Sequence, residues 1–159
     1  MKVTNKFTIA IHIILVLDLF GEKEKITSEK LAKSTNMNSV IIRQILSKLK
    51  AAGFVEINRG FGGARLITPL NTLSLFDVLV ALGEAKTDFF NFHSSPSPDC
   101  PVGRHIHDVL DDYLINATKA MENYMKSVTL DTLSHTLRTL YQEDQNLSIA
   151  DCIEAHILY

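Results

Sequence analysis

The spacing of apolar residues changes at defined points along the chain, and these changes divide it into elements. Residues 5–20 are apolar on almost every side, which predicts a helix at the centre of the core. Two shorter helices are predicted over about residues 28–35 and 39–52, the second with apolar positions at helical spacing. Residues 35–38 form the turn between them, so the pair is expected to be a helix-turn-helix.

A glycine-rich hairpin is predicted directly after these helices. Residues 54–58 alternate as in a strand, and residues 64–67 can return as its antiparallel partner. The run Arg59-Gly60-Phe61-Gly62-Gly63 between them supplies the glycines of a tight turn. Three helices followed by a glycine-tipped hairpin is the order of a winged helix-turn-helix, so the predicted fold class is mainly α with a small β-hairpin.

The second half of the chain is predicted to be helical, with one irregular segment. A helix is expected over residues 75–84 and a long one over about 104–127, followed by shorter helices over 130–141 and 149–158. Residues 86–103 contain several prolines, which exclude regular structure there.

These elements predict three parts: a DNA-binding domain over residues 1–85, a linker or sensor loop over 86–103, and a dimerisation helix with C-terminal helices over 104–159. The apolar residues of the long helix recur in steps of three and four. That stripe is longer than one small domain usually covers, which predicts a partner helix from a second copy. The predicted dimerisation residues are Ile106, Val109, Leu110, Tyr113, Leu114, Ala117, Met121 and Tyr124.

The charge of the chain is divided unevenly, although its net value is only −2. Residues 1–70 hold 11 Lys and Arg against 5 Asp and Glu, whereas residues 71–159 hold 5 against 13. A basic half can hold phosphates and an acidic half is repelled by them. A split of this size also arises in proteins that bind no nucleic acid, so charge alone leaves both interpretations open.

The third predicted helix carries side chains suited to a DNA major groove. Arg43 matches guanine and Gln44 matches adenine, each through paired hydrogen bonds, while Lys48 and Lys50 are better placed for phosphates. Arg59 and Arg65 flank the glycine tip, so the wing is expected to place a cation in the adjacent minor groove. The predicted DNA-binding residues are Lys6, Ser28, Asn38, Ser39, Val40, Arg43, Gln44, Lys48, Lys50, Arg59, Gly60, Gly62, Gly63 and Arg65.

Several stretches of the chain resemble one family of winged-helix regulators. They are Met-Lys-Val-Thr-Asn-Lys-Phe, Ser-Glu-Lys-Leu-Ala, Arg-Gln-Ile-Leu-Ser-Lys-Leu-Lys-Ala-Ala-Gly-Phe-Val, the wing Arg-Gly-Phe-Gly-Gly-Ala-Arg-Leu, and Leu-Ser-Leu-Phe-Asp-Val-Leu-Val-Ala-Leu-Gly-Glu. The resemblance is to the Rrf2 family, which includes the iron–sulfur cluster regulator and the nitric-oxide-sensing repressor. It covers residues 1 to about 127 and implies a homodimer, joined through the long helix, that binds a partly symmetric operator as a repressor.

The chain departs from the family pattern at three positions. Phe61 stands where the family wing often has proline, and Ala64 stands where it has a third glycine. Arg43 stands where the recognition helix often has glutamate. The operator sequence is therefore not carried over from the family.

The loop before the long helix contains Cys100 alone, whereas cluster-bearing relatives place three cysteines there. The resemblance is therefore to a cluster-free subgroup, and no cofactor is predicted. A thiol just before a helix lies at the positive end of the helix dipole, which favours a thiolate redox switch, while Asp99 opposes it by charge. The alternative is a small packed thiol.

Zinc binding by His93, Cys100, His105 and His107 is the other chemistry considered for this loop. His105 and His107 lie two residues apart, so on a helix they point to different faces and ligate one metal poorly. Exposed or capping histidines are the simpler interpretation.

The remaining features favour a cytoplasmic regulator over an enzyme or a membrane protein. The sequence has no phosphate loop, nucleophile elbow or paired-histidine metal motif. Its apolar runs fall short of the ~20 residues that a membrane span needs. The alternative function is a winged-helix module for protein interaction or ligand sensing without DNA. Lys48, Lys50, Arg59 and Arg65 distinguish the two functions, because they should cluster on one solvated face in the regulator and scatter in the module.

Overall fold

The computed structural model describes residues 4–58, 63–85, 90 and 93–143. Its elements are α1 Asn5–Phe20, α2 Ser28–Ser34, α3 Ser39–Ala51, β1 Val55–Asn58, β2 Gly63–Leu66, α4 Leu75–Ala81, α5 Pro101–Ser127 and α6 Leu130–Glu143. A 3-10 helical turn, Leu70–Thr72, joins the hairpin to α4. This order confirms the predicted fold class, and the helix predicted over 149–158 lies outside the described residues.

The main difference from the predicted elements is the start of α5. The helix begins at Pro101 rather than near residue 104, because proline is tolerated in the first helical position, where its missing N–H would have no intrahelical partner. Cys100 is consequently the N-cap of α5. The proline run therefore ends the irregular loop three residues earlier than the sequence predicts.

Helix α1 is the centre of the core, as its all-round apolar pattern predicts. Nine of its sixteen residues are buried, and they are distributed around most of the helix. Helix α3 contributes the apolar stripe Ile42, Ile45, Leu46 and Leu49 to the same cluster, and all four are buried. Burial of this stripe fixes which side of α3 faces solvent.

The helix-turn-helix is held by local caps and one left-handed residue. The Thr27 hydroxyl accepts a hydrogen bond from the Lys30 backbone N–H at 3.2 Å and caps α2. The Asn38 side chain accepts one from the Val40 N–H at 2.8 Å and caps α3. Between the helices, Asn36 has φ of 51°, a conformation that asparagine tolerates better than most residues. The turn therefore sets the relative placement of α2 and α3.

The hairpin is attached to the segment that leads into α2. Strands β1 and β2 pair antiparallel, with Asn58 opposite Gly63. The backbone N–H of Ala64 donates to the Ile26 carbonyl at 2.8 Å, so Ile26 forms an isolated antiparallel β-bridge with β2. Gly63 has φ of 72°, and a Cβ added there would lie 2.6 Å from the Ile26 carbonyl oxygen. Glycine at this position lets the hairpin approach the helix-turn-helix closely.

Helix α6 folds back from the long α5 onto α1. Asp18 of α1 accepts hydrogen bonds from the Ser134 hydroxyl at 2.5 Å and from the Arg138 guanidinium at 2.7 Å. Leu130, at the start of α6, is fully buried, and its N–H donates to the Leu73 carbonyl at 2.8 Å. Helix α5 is thus fixed to the core at its C-terminal end.

The two glycines at the ends of the hairpin give a matched test of this attachment. Gly53→Ala should lower the free energy of unfolding by about 1–2 kcal/mol, because φ is +79° there. No further loss is expected, since a Cβ at this position meets no atom within 4 Å. Gly63→Ala should cost clearly more, because its Cβ also collides with the Ile26 carbonyl. Urea unfolding of both variants measures the difference. Equal losses in the free energy of unfolding would show that the close approach of the hairpin to Ile26 contributes nothing to stability.

Candidate nucleic-acid interface

Burial of the apolar stripe leaves one side of α3 in solvent, and we call this its outer face: Val40, Arg43, Gln44 and Ser47. All four are exposed, including Val40, an apolar side chain that is 52% exposed. Ser39 lies half-buried in the first turn, and Asn38 precedes it as the cap. The structure therefore brings the predicted early residues of α3 together on one solvated surface.

Sequence analysis missed Ser47 as a member of this face. It lies four residues after Arg43 and three after Gln44, so helical spacing alone was sufficient to place it beside them. Its exposure makes its hydroxyl available to the same ligand as those two side chains.

Lys48 and Lys50 lie on opposite flanks of α3, which corrects the expectation that they share one face. Residues two apart on a helix point about 160° away from each other. The Lys48 amino group donates to the Leu82 carbonyl, at the C-terminal end of α4, at 2.5 Å. Lys50 is exposed and lies on the flank that includes Arg43. Both lysines are exposed beside the outer face, Lys48 on the Gln44 flank with its amino group bound to Leu82 and Lys50 on the Arg43 flank.

A cleft of about 280 Å³ separates α2, α3 and the hairpin. Three predicted DNA-binding residues, Ser28, Arg43 and Gly63, line it together. Arg65 does not: it lines a different groove with Glu22 at the end of α1, and it forms an ion pair with Glu56 across the hairpin at 3.1 Å. Because strand residues alternate, Ala64 points inward and Arg65 outward. Lys48, Lys50 and Arg65 therefore do not form the single cluster expected of the regulator, and Arg59 lies outside the described residues.

Arg43 is engaged by a carboxylate from the neighbouring helix. Its Nη2 donates to Glu29 of α2 at 3.2 Å and to the Ser39 hydroxyl at 3.3 Å. Glu29 also accepts from the Ser28 hydroxyl at 3.0 Å. Hydrogen bonds from the backbone N–H of Glu29, from Ser28 and from Arg43 lower the pKa of the Glu29 carboxyl below its ordinary value. Glu29 is therefore an anion at neutral pH.

The other predicted DNA-binding residues are placed as follows. Lys6 lies half-buried in the first turn of α1. Arg59, Gly60 and Gly62, at the tip of the wing, lie outside the described residues, so their predicted contacts stay predictions.

The predicted dimerisation stripe of α5 is largely solvent-exposed in the single chain. Tyr113 is 73% exposed, and Val109 and Tyr124 are exposed to a similar degree. Leu114 and Met121 are half-buried. Of the remaining positions, Leu110 and Ala117 are exposed and Ile106 is half-buried. No residue of α5 is buried, so the apolar side of a long helix faces solvent in this chain.

Both ring nitrogens of His107 are occupied, which ties the loop before α5 to the helix. Nδ1 lies 3.0 Å from the Asp111 carboxylate, and Nε2 lies 2.8 Å from the His93 carbonyl oxygen. Because both partners are acceptors, both contacts are hydrogen bonds only when the ring is protonated. The bond to Asp111, followed by the bond to His93, raises the pKa of His107 above 6.5. His105 pairs separately with Asp108.

Three comparisons relate this chain to known proteins. The sequence profile of the Rrf2 family, described as an iron-dependent transcriptional regulator, matches residues 3–136. YwnA of Bacillus subtilis, which is named as an HTH-type transcriptional regulator, is 35% identical over 134 residues, covering 84% of this chain and 98% of YwnA.

Solved structures show the same fold. A protein from Lactobacillus plantarum, described as a transcriptional regulator, is 28% identical and aligns over 89% of this chain and 97% of its own, with a TM-score of 0.69. CymR of B. subtilis is 19% identical and aligns over 86% of this chain and 98% of its own, with a TM-score of 0.65. The CymR likeness supports the fold alone.

The described residues do not fit an iron site, although the family description names iron. Cys100 is an exposed free thiol at the N-cap of α5. Across residues 4–58, 63–85, 90 and 93–143, no group of three or more His, Cys, Asp and Glu side chains is placed to hold a metal ion. Cys152 lies outside that range.

None of the helices that the structure describes is long and apolar enough to cross a membrane.

The pKa of His107 predicts a pH dependence. Since the folded protein binds the ring proton more tightly, the stabilisation is complete below pH 6.5 and is lost as the pH rises through the raised pKa. Asp111→Asn should move the pKa of His107 back toward 6.5, because the hydrogen bond to the Asp111 carboxylate, the largest cause of the raised pKa, is removed. NMR titration of the ring measures this, with Asp112→Asn as the charge-matched control. An unchanged pKa in Asp111→Asn would contradict the assigned cause.

Proposed function

This chain belongs to the Rrf2 family of transcriptional regulators, and we propose that it acts by binding double-stranded DNA as a homodimer. The observation that carries the proposal is the outer face of α3. It is solvated, it joins hydrogen-bonding and apolar side chains, and it borders the cleft between α2 and the hairpin. In the helix-turn-helix arrangement the second helix enters the major groove and its early residues meet base edges.

The chemistry of the outer face suits direct reading of bases. A guanidinium such as that of Arg43 binds guanine through two hydrogen bonds, and an amide such as that of Gln44 binds adenine in the same way. Val40 offers an exposed apolar surface, which suits contact with a thymine methyl group. Each well-made paired contact discriminates against the wrong base by about 1–3 kcal/mol.

Backbone contacts are proposed on both sides of this reading helix. Lys50 is the exposed cation on the Arg43 flank, and Arg59 is expected on the wing from its place beside the glycines. Such cations contact phosphates and raise affinity without reading sequence. The surplus of positive charge in residues 1–70 favours this orientation of the domain toward DNA.

The homodimer is proposed from the solvent-exposed apolar side of α5. Val109, Tyr113 and Tyr124 expose large apolar surfaces on one side of a 27-residue helix. Contiguous apolar surface of this kind marks an interaction site in soluble proteins. Pairing with the same helix of a second copy buries it and sets two copies of α3 at a fixed separation, as a partly symmetric operator requires.

Repression and a redox signal at Cys100 stay predictions from the sequence. The thiol is exposed at the N-cap of α5, between the loop held by His107 and the proposed dimer helix. A change at this position would act close to the helix that sets the spacing of the two DNA-binding domains.

Selection of duplexes from a random DNA pool, followed by two lysine variants, tests the proposal. Lys50→Ala should weaken binding to a selected and to a scrambled duplex alike, and should lower the slope of log affinity against log salt by about 1. Lys48→Ala is the matched control, because its amino group is bound to Leu82; it should leave that slope unchanged. Recovery of no preferred sequence, or equal slopes for both variants, would contradict the proposal.

A further inference from the structure

The contact between Glu29 and Arg43 joins the first turn of α2 to the outer face of α3. Both side chains remain more than half exposed, at 65% and 57%, so the pair stands where a duplex would dock. Glu29 itself is held by Ser28, whose hydroxyl donates to the same carboxylate oxygen that Arg43 contacts. The carboxylate is therefore oriented before DNA arrives.

The atom that Glu29 holds is the one that base reading needs. A guanidinium has five N–H groups in a fixed fork, and its two paired-donor edges are Nε with Nη2 and Nη1 with Nη2. Both edges share Nη2. In this structure Nη2 donates to Glu29 and to Ser39, which uses both of its hydrogens. Arg43 is thus unable to form a paired contact with guanine while both bonds persist.

We infer that Glu29 is a specificity-determining residue, which occupies Nη2 of Arg43 until a guanine supplies two acceptors in its place. The inference rests on the proposed function, since it assigns Glu29 a part in the same DNA contact. Exchange of one carboxylate and one hydroxyl for the two acceptors of guanine conserves the number of hydrogen bonds that the guanidinium makes, one of them from Nη2 and the other from the second nitrogen of the paired edge. A base that offers one acceptor in that position leaves one bond unmade.

The charge of Glu29 acts in the same direction. A phosphate that competes for Arg43 must approach an ionised carboxylate, which repels it. Glu29 therefore weakens binding to arbitrary sequence, where phosphate contacts dominate, more than binding to the preferred sequence. It does so without touching a base.

Glu29→Gln tests the inference, because it removes the charge and keeps the shape of the side chain. Two probes are used: a duplex selected by the wild-type protein from a random pool, and a scrambled duplex of equal composition. Glu29→Gln should bind the scrambled duplex more tightly, and the ratio of the two affinities should fall about two- to fivefold, the range expected for an exposed ion pair. Glu22→Gln, an exposed carboxylate at the end of α1, is the charge-matched control and should keep the ratio.

The Arg43→Ala background distinguishes a role through Arg43 from a general effect of charge. In that background Glu29→Gln should change the ratio no more than Glu22→Gln does. A ratio that Glu29→Gln leaves at the wild-type value, or a fall that persists without Arg43, overturns the inference while the proposed function stands. Failure of the wild-type protein to select any sequence overturns both.

Discussion

Burial of the α3 stripe against α1 is the constraint on which the rest of the structure depends. Because α1 is apolar on almost every side, it is stable only when other elements cover it. Helix α3 supplies part of that cover with four buried residues, and the geometry of a helix then turns its polar residues outward. The outer face therefore follows from the packing, and the caps at Thr27 and Asn38 determine where along the helix it begins.

The same core also connects the candidate DNA surface to the proposed dimer helix. Asp18, on the last turns of α1, binds Ser134 and Arg138 of α6 and so holds the C-terminal end of α5. At the N-terminal end of α5, His107 binds the His93 carbonyl of the preceding loop. A long helix attached to the core at its C-terminal end can keep two DNA-binding domains at a defined separation, and a change at that end can alter it.

Sequence patterns predicted what depends on local spacing and failed where distant elements meet. The helix-turn-helix followed from local spacing, because the turn residues and the cap Asn38 act within one turn of α3. The start of α5 was placed too late, because Pro101 was interpreted as a breaker although the first turn accepts it. The hydrogen bond of Lys48 to the Leu82 carbonyl joins α3 to α4, so no pattern within α3 predicts it. The contact of Glu29 with Arg43 depends on how α2 crosses α3, which no local pattern contains.

The central claim is that two copies of the outer face of α3, held by paired α5 helices, dock on one side of a duplex. Hydroxyl-radical footprinting of a selected operator measures this most directly. Two protected patches are expected on one face of the DNA, about 34–36 Å apart or a multiple of that. Tyr113→Glu should abolish the paired pattern, whereas Ile115→Glu, on the other side of α5, should keep it. A single patch, or a paired pattern that survives Tyr113→Glu, would show that the two helices do not dock in this way.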